Sequence, residues 1–233
     1  MRNPPPPIVI REDSRPRRPS SGWLGVPIAL ALLAGAWVAV MSTMQMDPFA
    51  VRQQSATILE SFGALVRDPT FPGVLGSTLL TAGLGFLIAL SLAGVVASVF
   101  AGNLRMGTLV LLGVPAAALM PWAFLLLGTG TGAAIAGTAL LAFGPMVVGF
   151  AADGAARRPA AEVGVAMAFN GTVMVEPIAD LRGLGALAYR SALIVFDLPT
   201  AAAALLVLSA VGIVAVLAVH VLFGVFVPDD RAP

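Results

Sequence analysis

Apolar residues in this chain come in long uncharged runs, with the charges between them acting as punctuation. Residues 23–41 form the first run, nineteen positions without a charge. At 1.5 Å per helical residue that length matches a hydrocarbon layer about 30 Å thick. Residues 70–104 are uncharged over thirty-five positions, with 75–100 as the spanning core, so one long, tilted helix is predicted. Residues 106–152 hold forty-seven more, too many for one span and right for two. Gly128-Thr129-Gly130-Thr131-Gly132 supplies the break, because glycine turns a chain at the least steric cost. Residues 160–178 form the most polar span, with Glu162, Asn170 and Glu176 inside it. It crosses only if both carboxylates sit at the interfaces. Residues 200–226 close the series. Six spans is the preferred count, with five as the competitor if 163–175 lie along the surface or re-enter.

The segments between the runs are short and polar. Residues 1–21 carry five arginines, six prolines and two acids, and they bury nothing, which predicts a disordered tail. Arginines ahead of an apolar run also describe a signal peptide. Nineteen apolar residues followed by further spans favour an uncleaved anchor. From 45 to 71 the charges Asp47, Arg52, Glu60, Arg67 and Asp68 accompany apolar Phe49, Ile58, Phe62 and Leu65 at helical spacing. This predicts a loop with a short helix near one membrane face. The expected organisation is a tail over 1–21, a six-helix membrane domain over 22–227 and a second tail over 228–233.

Composition strengthens this picture. Hydrophobic residues make up 58% of the chain and charged ones 11%, where a soluble domain carries about 25% charged. The fold class expected is therefore an all-α integral membrane protein. There is no cysteine, which removes disulfides and thiolate chemistry. All thirteen cations are arginine, so neither a Walker A lysine nor a Schiff base is available. His220 is the one histidine, too few for a multi-histidine metal site. No nucleophile–base pair is visible in the spans, so the expectation is no enzyme, no metal and no cofactor. Six spans with a cytoplasmic N-terminus place nine arginines inside (Arg2, Arg11, Arg15, Arg17, Arg18, Arg105, Arg157, Arg158 and Arg231) and four outside (Arg52, Arg67, Arg182 and Arg190). That bias puts both termini in the cytoplasm.

Polar groups within spans are costly, so they mark the first candidates for a pathway. Met167, Asn170 and Met174 share one face of a helix at i, i+3, i+7 spacing, and Thr172 and Glu176 share another at i, i+4. Such faces offer hydrogen bonds and adaptable thioether surface to a moving solute. The alternative is that Asn170 bonds a neighbouring helix and Glu176 is solvated at the outer boundary. Pro115 and Pro121-Trp122 bend the third span, either shaping a cavity or packing as a kink. His220 is expected to be a buried, hydrogen-bonded imidazole. Gly83, Gly85, Gly94, Gly137 and Gly144 permit close helix packing, within the chain or against a second copy.

Several stretches in order resemble the permease subunit of binding-protein-dependent ABC importers, in the nitrate/sulfonate/taurine-type branch. Ser77-Thr78-Leu79 through Gly102-Asn103 is similar to that family's second span. Val114-Pro115 through Leu119-Met120-Pro121 and Gly128-Thr129-Gly130 resemble its third span and turn. Phe143-Gly144-Pro145-Met146-Val147 resembles its fourth. Glu176, Arg182-Gly183-Leu184-Gly185 and Phe196-Asp197-Leu198-Pro199-Thr200 resemble its outer segment. The resemblance implies a type I importer permease of six helices in a bacterial inner membrane. It also implies a second permease copy, a cytoplasmic ATP-binding subunit and a periplasmic solute-binding protein as partners, besides the lipid bilayer, and no nucleic acid.

On that reading the solute is small and anionic or zwitterionic. Met167, Asn170, Thr172, Met174, Glu176, Pro121 and Trp122 line its route, Gly183, Leu184, Gly185 and Asp197 shape an outer gate, and Asp153, Gly154, Arg157 and Arg158 are what remains of the coupling loop. The family's loop opens with Glu-Ala-Ala and forms helices that dock on the ATPase. Residues 152–161 leave no room for it, and Glu162-Val163-Gly164 is too compressed to be the motif. The second expectation follows from that departure: a permease-derived, non-transporting membrane scaffold that has lost ATPase coupling.

Overall fold

The computed structural model describes residues 48–99, 116–151 and 157–226. The chain divides into two compact units, Met1–Arg52 and Gln53–Pro233. Of the first, only residues 48–52 are described. The expected first span at 23–41, both tails, Pro115 and the coupling-loop residues Asp153 and Gly154 lie outside the described residues.

Among the described residues every regular element is helical. Helix α1 (Pro48–Arg67) runs for twenty residues, where a loop with only a short helix was expected. Asp68 ends the connection to α2 (Phe71–Val99): its Oδ1 accepts from the Thr70 amide and hydroxyl, each at 2.7 Å. Those bonds, the hydroxyl first, hold the Asp68 carboxyl below the usual aspartate range. Helices α3 (Ala116–Leu127) and α4 (Thr131–Ala151) form a hairpin. Its turn falls in the glycine run, where Gly128 and Gly130 take φ of 73° and 125°, values that a side chain would resist. Helix α5 (Arg157–Ile178), a short α6 (Leu184–Arg190), a π-helical turn (Ser191–Val195) and α7 (Leu198–Phe226) complete the chain.

Three of these helices, α2, α4 and α7, are long and apolar enough to cross a membrane. Over the described residues the protein is accordingly all-helical, with membrane-spanning character. Leu84, Leu87, Ile88, Val95, Ile213 and Leu217 stand exposed on the outward faces of α2 and α7. So large an apolar surface suits lipid and not water.

Helix α5 is more polar than the long helices α2, α4 and α7, and it is also the most central, packing against α2, α4, α6 and α7. That is the arrangement hydrocarbon favours, because polar side chains in a span are cheapest when they face the bundle interior. Small residues set how near its neighbours come. A Cβ on Gly164 would lie 2.3 Å from the Met146 methyl carbon, and one on Gly137 would press on Val175 at 3.0 Å. Gly85 sits against Thr138, whose hydroxyl bonds the Thr81 carbonyl across the α2–α4 seam at 3.1 Å. Gly83 and Gly94 instead meet nothing within 4 Å. The small-residue pattern thus separates into glycines that permit internal contact and glycines on open faces.

Candidate functional site: the junction at the C-terminal end of α5

Helix α5 ends in a left-handed residue. Asp180 takes φ 57°, and the amides of Leu181 and Asp180 return to the carbonyls of Glu176 and Pro177 at 3.0 and 3.3 Å. This is a Schellman closure, with aspartate where glycine is usual. Arg190 compensates by pairing with Asp180 at 2.6 Å from the far end of α6. The chain is thereby turned back, and α6 starts beside the helix it has just left.

The start of α6 poses a satisfaction problem. The first amides of any helix have no intrahelical acceptor, and in an apolar interior each needs one from elsewhere. Gly183 occupies the N-cap position and has no side chain to offer. The acceptors come from two other helices instead. Thr78 Oγ1 of α2 accepts from Leu184 N at 2.7 Å. Glu176 Oε2 of α5 accepts from Gly185 N at 2.9 Å and Ala186 N at 3.2 Å. The next amide, Leu187 N, begins the helix's own ladder by bonding Gly183 O at 2.9 Å. Three orphan donors are thus satisfied by two borrowed side chains.

The junction admits no side chain at its glycines. A Cβ on Gly183 would lie 2.1 Å from Glu176 Oε2, and one on Gly185 would lie 2.4 Å from the Thr172 carbonyl oxygen. Glu176, Thr78 and Thr172 are all fully buried. Thr172 spends its hydroxyl on the Phe169 carbonyl at 2.7 Å. Glu176 Oε1 lies buried and without a partner, so the carboxylate is anchored through one oxygen alone.

The structure separates the residues expected along a pathway into two groups. Thr172 and Glu176 face the interior, whereas Met167, Asn170 and Met174 are exposed on the opposite face of α5. The expectation of a solvated Glu176 is corrected, because burial of α6 against α5 encloses the carboxyl completely. Met174 and Pro121 share an open groove of about 470 Å³ between α3 and α5, together with Met120, Phe124, Leu125 and Ile178. Its lining is entirely apolar apart from the thioethers. Trp122 is exposed beside it on α3.

Among the outer-gate residues, Gly183, Leu184 and Gly185 come together in the junction, and Asp197 stands apart. Asp197 is exposed and caps α7, its Oδ1 accepting from Thr200 N at 3.2 Å. The Thr200 hydroxyl, and then its amide, hold the Asp197 carboxyl below the usual aspartate range. The preceding Phe196 has φ 58° and is exposed, a strained conformation for an aromatic residue. Of the remaining coupling residues, Arg157 and Arg158 open α5 at its other end.

His220 is corrected too. It was expected to be buried; its side chain is about half exposed, although it is hydrogen-bonded, to Arg158 and Glu162. Sequence reading missed the role of Thr78 as a cap, and it missed the pairing of Asp180 with Arg190. The available signal was the Gly183-Leu184-Gly185 run: a helix start without a Ser, Thr, Asp or Asn cap in an apolar segment demands distant acceptors. No family model matches the chain, and neither a curated protein nor a solved structure matches it.

Proposed function

We propose that this chain is a multi-pass permease-like subunit of a bacterial inner membrane, with both termini cytoplasmic, that passes a small anionic or zwitterionic solute by means of a separate ATP-hydrolysing subunit. The observation that carries the reading is the tertiary cap at the outer end of α5. It joins Thr78, Glu176 and Gly183-Leu184-Gly185, residues from two of the stretches in which the sequence resembles importer permeases. The cap holds the outer segment closed over the polar helix, as an outer gate requires. On this reading Glu176 fastens the gate, and the thioether face of Met167 and Met174, with Pro121 and Trp122, is left for the route or for a second permease copy.

The test is uptake of nitrate, taurine, alkyl sulfonates and thiamine precursors in cells with and without the gene, with the companion ATPase present. Gene-dependent uptake of one of these solutes is the expected result. No difference for any of them rejects transport.

A second reading has its own support. Helix α4 ends at Ala151 and α5 begins at Arg157, which leaves five residues where an ATPase contact would need a helix of several turns. A non-transporting scaffold of the same fold needs no such contact. Purification in mild detergent with other membrane proteins, and without an ATPase or a binding protein, selects that reading.

A further inference from the structure

One face of α5 is turned away from the bundle. Between Val163 and Ile178 its exposed residues are Val163, Met167, Asn170, Met174 and Ile178, and steps of three or four place them along one stripe. The stripe is apolar except at Asn170, near its middle. Polar groups on the other outward faces are arranged differently. Ser91 and Ser98 of α2 and Ser209 of α7 are exposed too, but each donates its hydroxyl to a carbonyl of its own helix: Leu87 and Val95 at 2.8 Å, and Leu205 at 2.7 Å. Such bonds let a hydroxyl face hydrocarbon at little cost. Asn170 has no hydrogen-bond partner among the described residues, and its carboxamide carries two N–H donors and an acceptor oxygen.

An unpaired carboxamide is costly in hydrocarbon. A stripe that holds one calls for a cover that can both donate and accept. Lipid tails can do neither. Water in a solute route could do both, but a wet lining needs further polar groups, and the groove beside the stripe (Met120, Pro121, Phe124 and Leu125) adds no polar side chain. A second copy of the chain brings the same amide, so donor meets acceptor and acceptor meets donor across a two-fold axis. We propose that α5 packs against α5 of a second copy along this stripe, with the two Asn170 carboxamides hydrogen-bonded to each other.

Copies inserted in one orientation are related by an axis along the membrane normal, so the two α5 helices run side by side in parallel. Each stripe residue then meets its own counterpart, as an isologous contact requires. Methionine suits the positions on either side of Asn170, because unbranched thioether chains adapt to one another's shape. The single polar pair sets the register: a slip of one turn would leave both amides against apolar side chains. On the reading proposed above, in which α5 spans the bilayer, Met167 and Met174 belong to the contact between copies and not to the solute's route.

The chain has no cysteine, so each single-cysteine variant reports one position without background. Full-length M167C and M174C are placed in liposomes and oxidised, with L87C of α2 and L217C of α7 as controls on the other outward faces. Disulfide-linked dimers are expected at the two α5 positions and not at the controls. Dimer yield from M174C is then followed as lipid is added, beside M174C/N170V and M174C/N170Q. Valine should raise the dissociation constant about threefold to thirtyfold, the range that interhelical polar bonds in membranes reach. Glutamine keeps the amide and should restore most of the loss. A stripe covered by lipid or by the chain's own residues gives no α5 dimers and overturns the proposal. Equal yields at the controls, or dilution curves that coincide with and without Asn170, overturn it as well. The liposomes hold this protein alone, so absent uptake in cells leaves a dimer standing, and a monomer here leaves transport to its own assay.

Discussion

Two glutamates of the same helix end in opposite environments. Glu162 and Glu176 are fourteen residues apart on α5, about 21 Å along its axis. Glu162 is a quarter exposed and meets charged partners, Arg158 and His220. Glu176 is wholly buried and meets none; its partners are the uncharged amides of Gly185 and Ala186. The difference follows from what lies opposite each end. At its N-terminal end α5 faces the side chains of another helix, where charges can pair. At its C-terminal end it faces the open start of a short helix, whose orphan amides call for a side-chain acceptor oxygen. The same side chain is an exchangeable ion pair in one place and a fixed structural cap in the other.

Substitutions can break this contrast in order of severity. E176A leaves two buried amides without acceptors and should destabilise the folded chain most, by about 3–5 kcal/mol. It is read as thermal unfolding in detergent. E176Q keeps one acceptor oxygen and should lose clearly less. If both variants melt with the native protein, the amides find other partners and the cap is not structural.

G185A tests the same junction from the other side. Its Cβ would meet the Thr172 backbone oxygen at 2.4 Å, and neither main chain can step aside cheaply. A loss of about 2–3 kcal/mol is expected, whereas alanine at Gly83, which faces open space, should cost well under that. Equal losses at the two glycines would show that close approach at Gly185 is not the cause, since alanine's higher helix propensity favours both changes.

E162Q should matter least for stability, within about 1 kcal/mol, because partly exposed ion pairs are weak and screened by salt. Its melting difference from the native chain should shrink further as salt is raised. A loss as large as that of E176A would mean that Glu162 is buried in the membrane-embedded protein and that the two ends are alike.

Much of the fold was legible in the run lengths. The uncharged stretches marked α2, α4 and α7, and the glycine run marked the α3–α4 turn, because span length and turn chemistry are local properties. The weak span at 160–178 was legible as the odd one out, since its acids could be counted. What it does was not legible. Periodicity placed Glu176 and Thr172 on one face of α5, yet it could not say which face turned inward. That depends on α6 folding back through the left-handed Asp180, whose side chain pairs with Arg190 ten positions away. The cap from Thr78 lies more than a hundred residues from Leu184 in sequence, so no local pattern could announce it. His220 was misjudged for a related reason: an apolar run looks buried throughout, whereas one face of α7 is open near its C-terminal end.

The most direct test of the account is amide hydrogen exchange at Leu184, Gly185 and Ala186 in the full chain held in nanodiscs. These are first-turn amides with no acceptor in their own helix, so protection that is lost when Thr78 or Glu176 is replaced reports their hydrogen bonds. Slow exchange at all three is predicted, with Leu184 alone released in T78V and Gly185 and Ala186 released in E176A. Fast exchange at these positions in the native chain would contradict the junction.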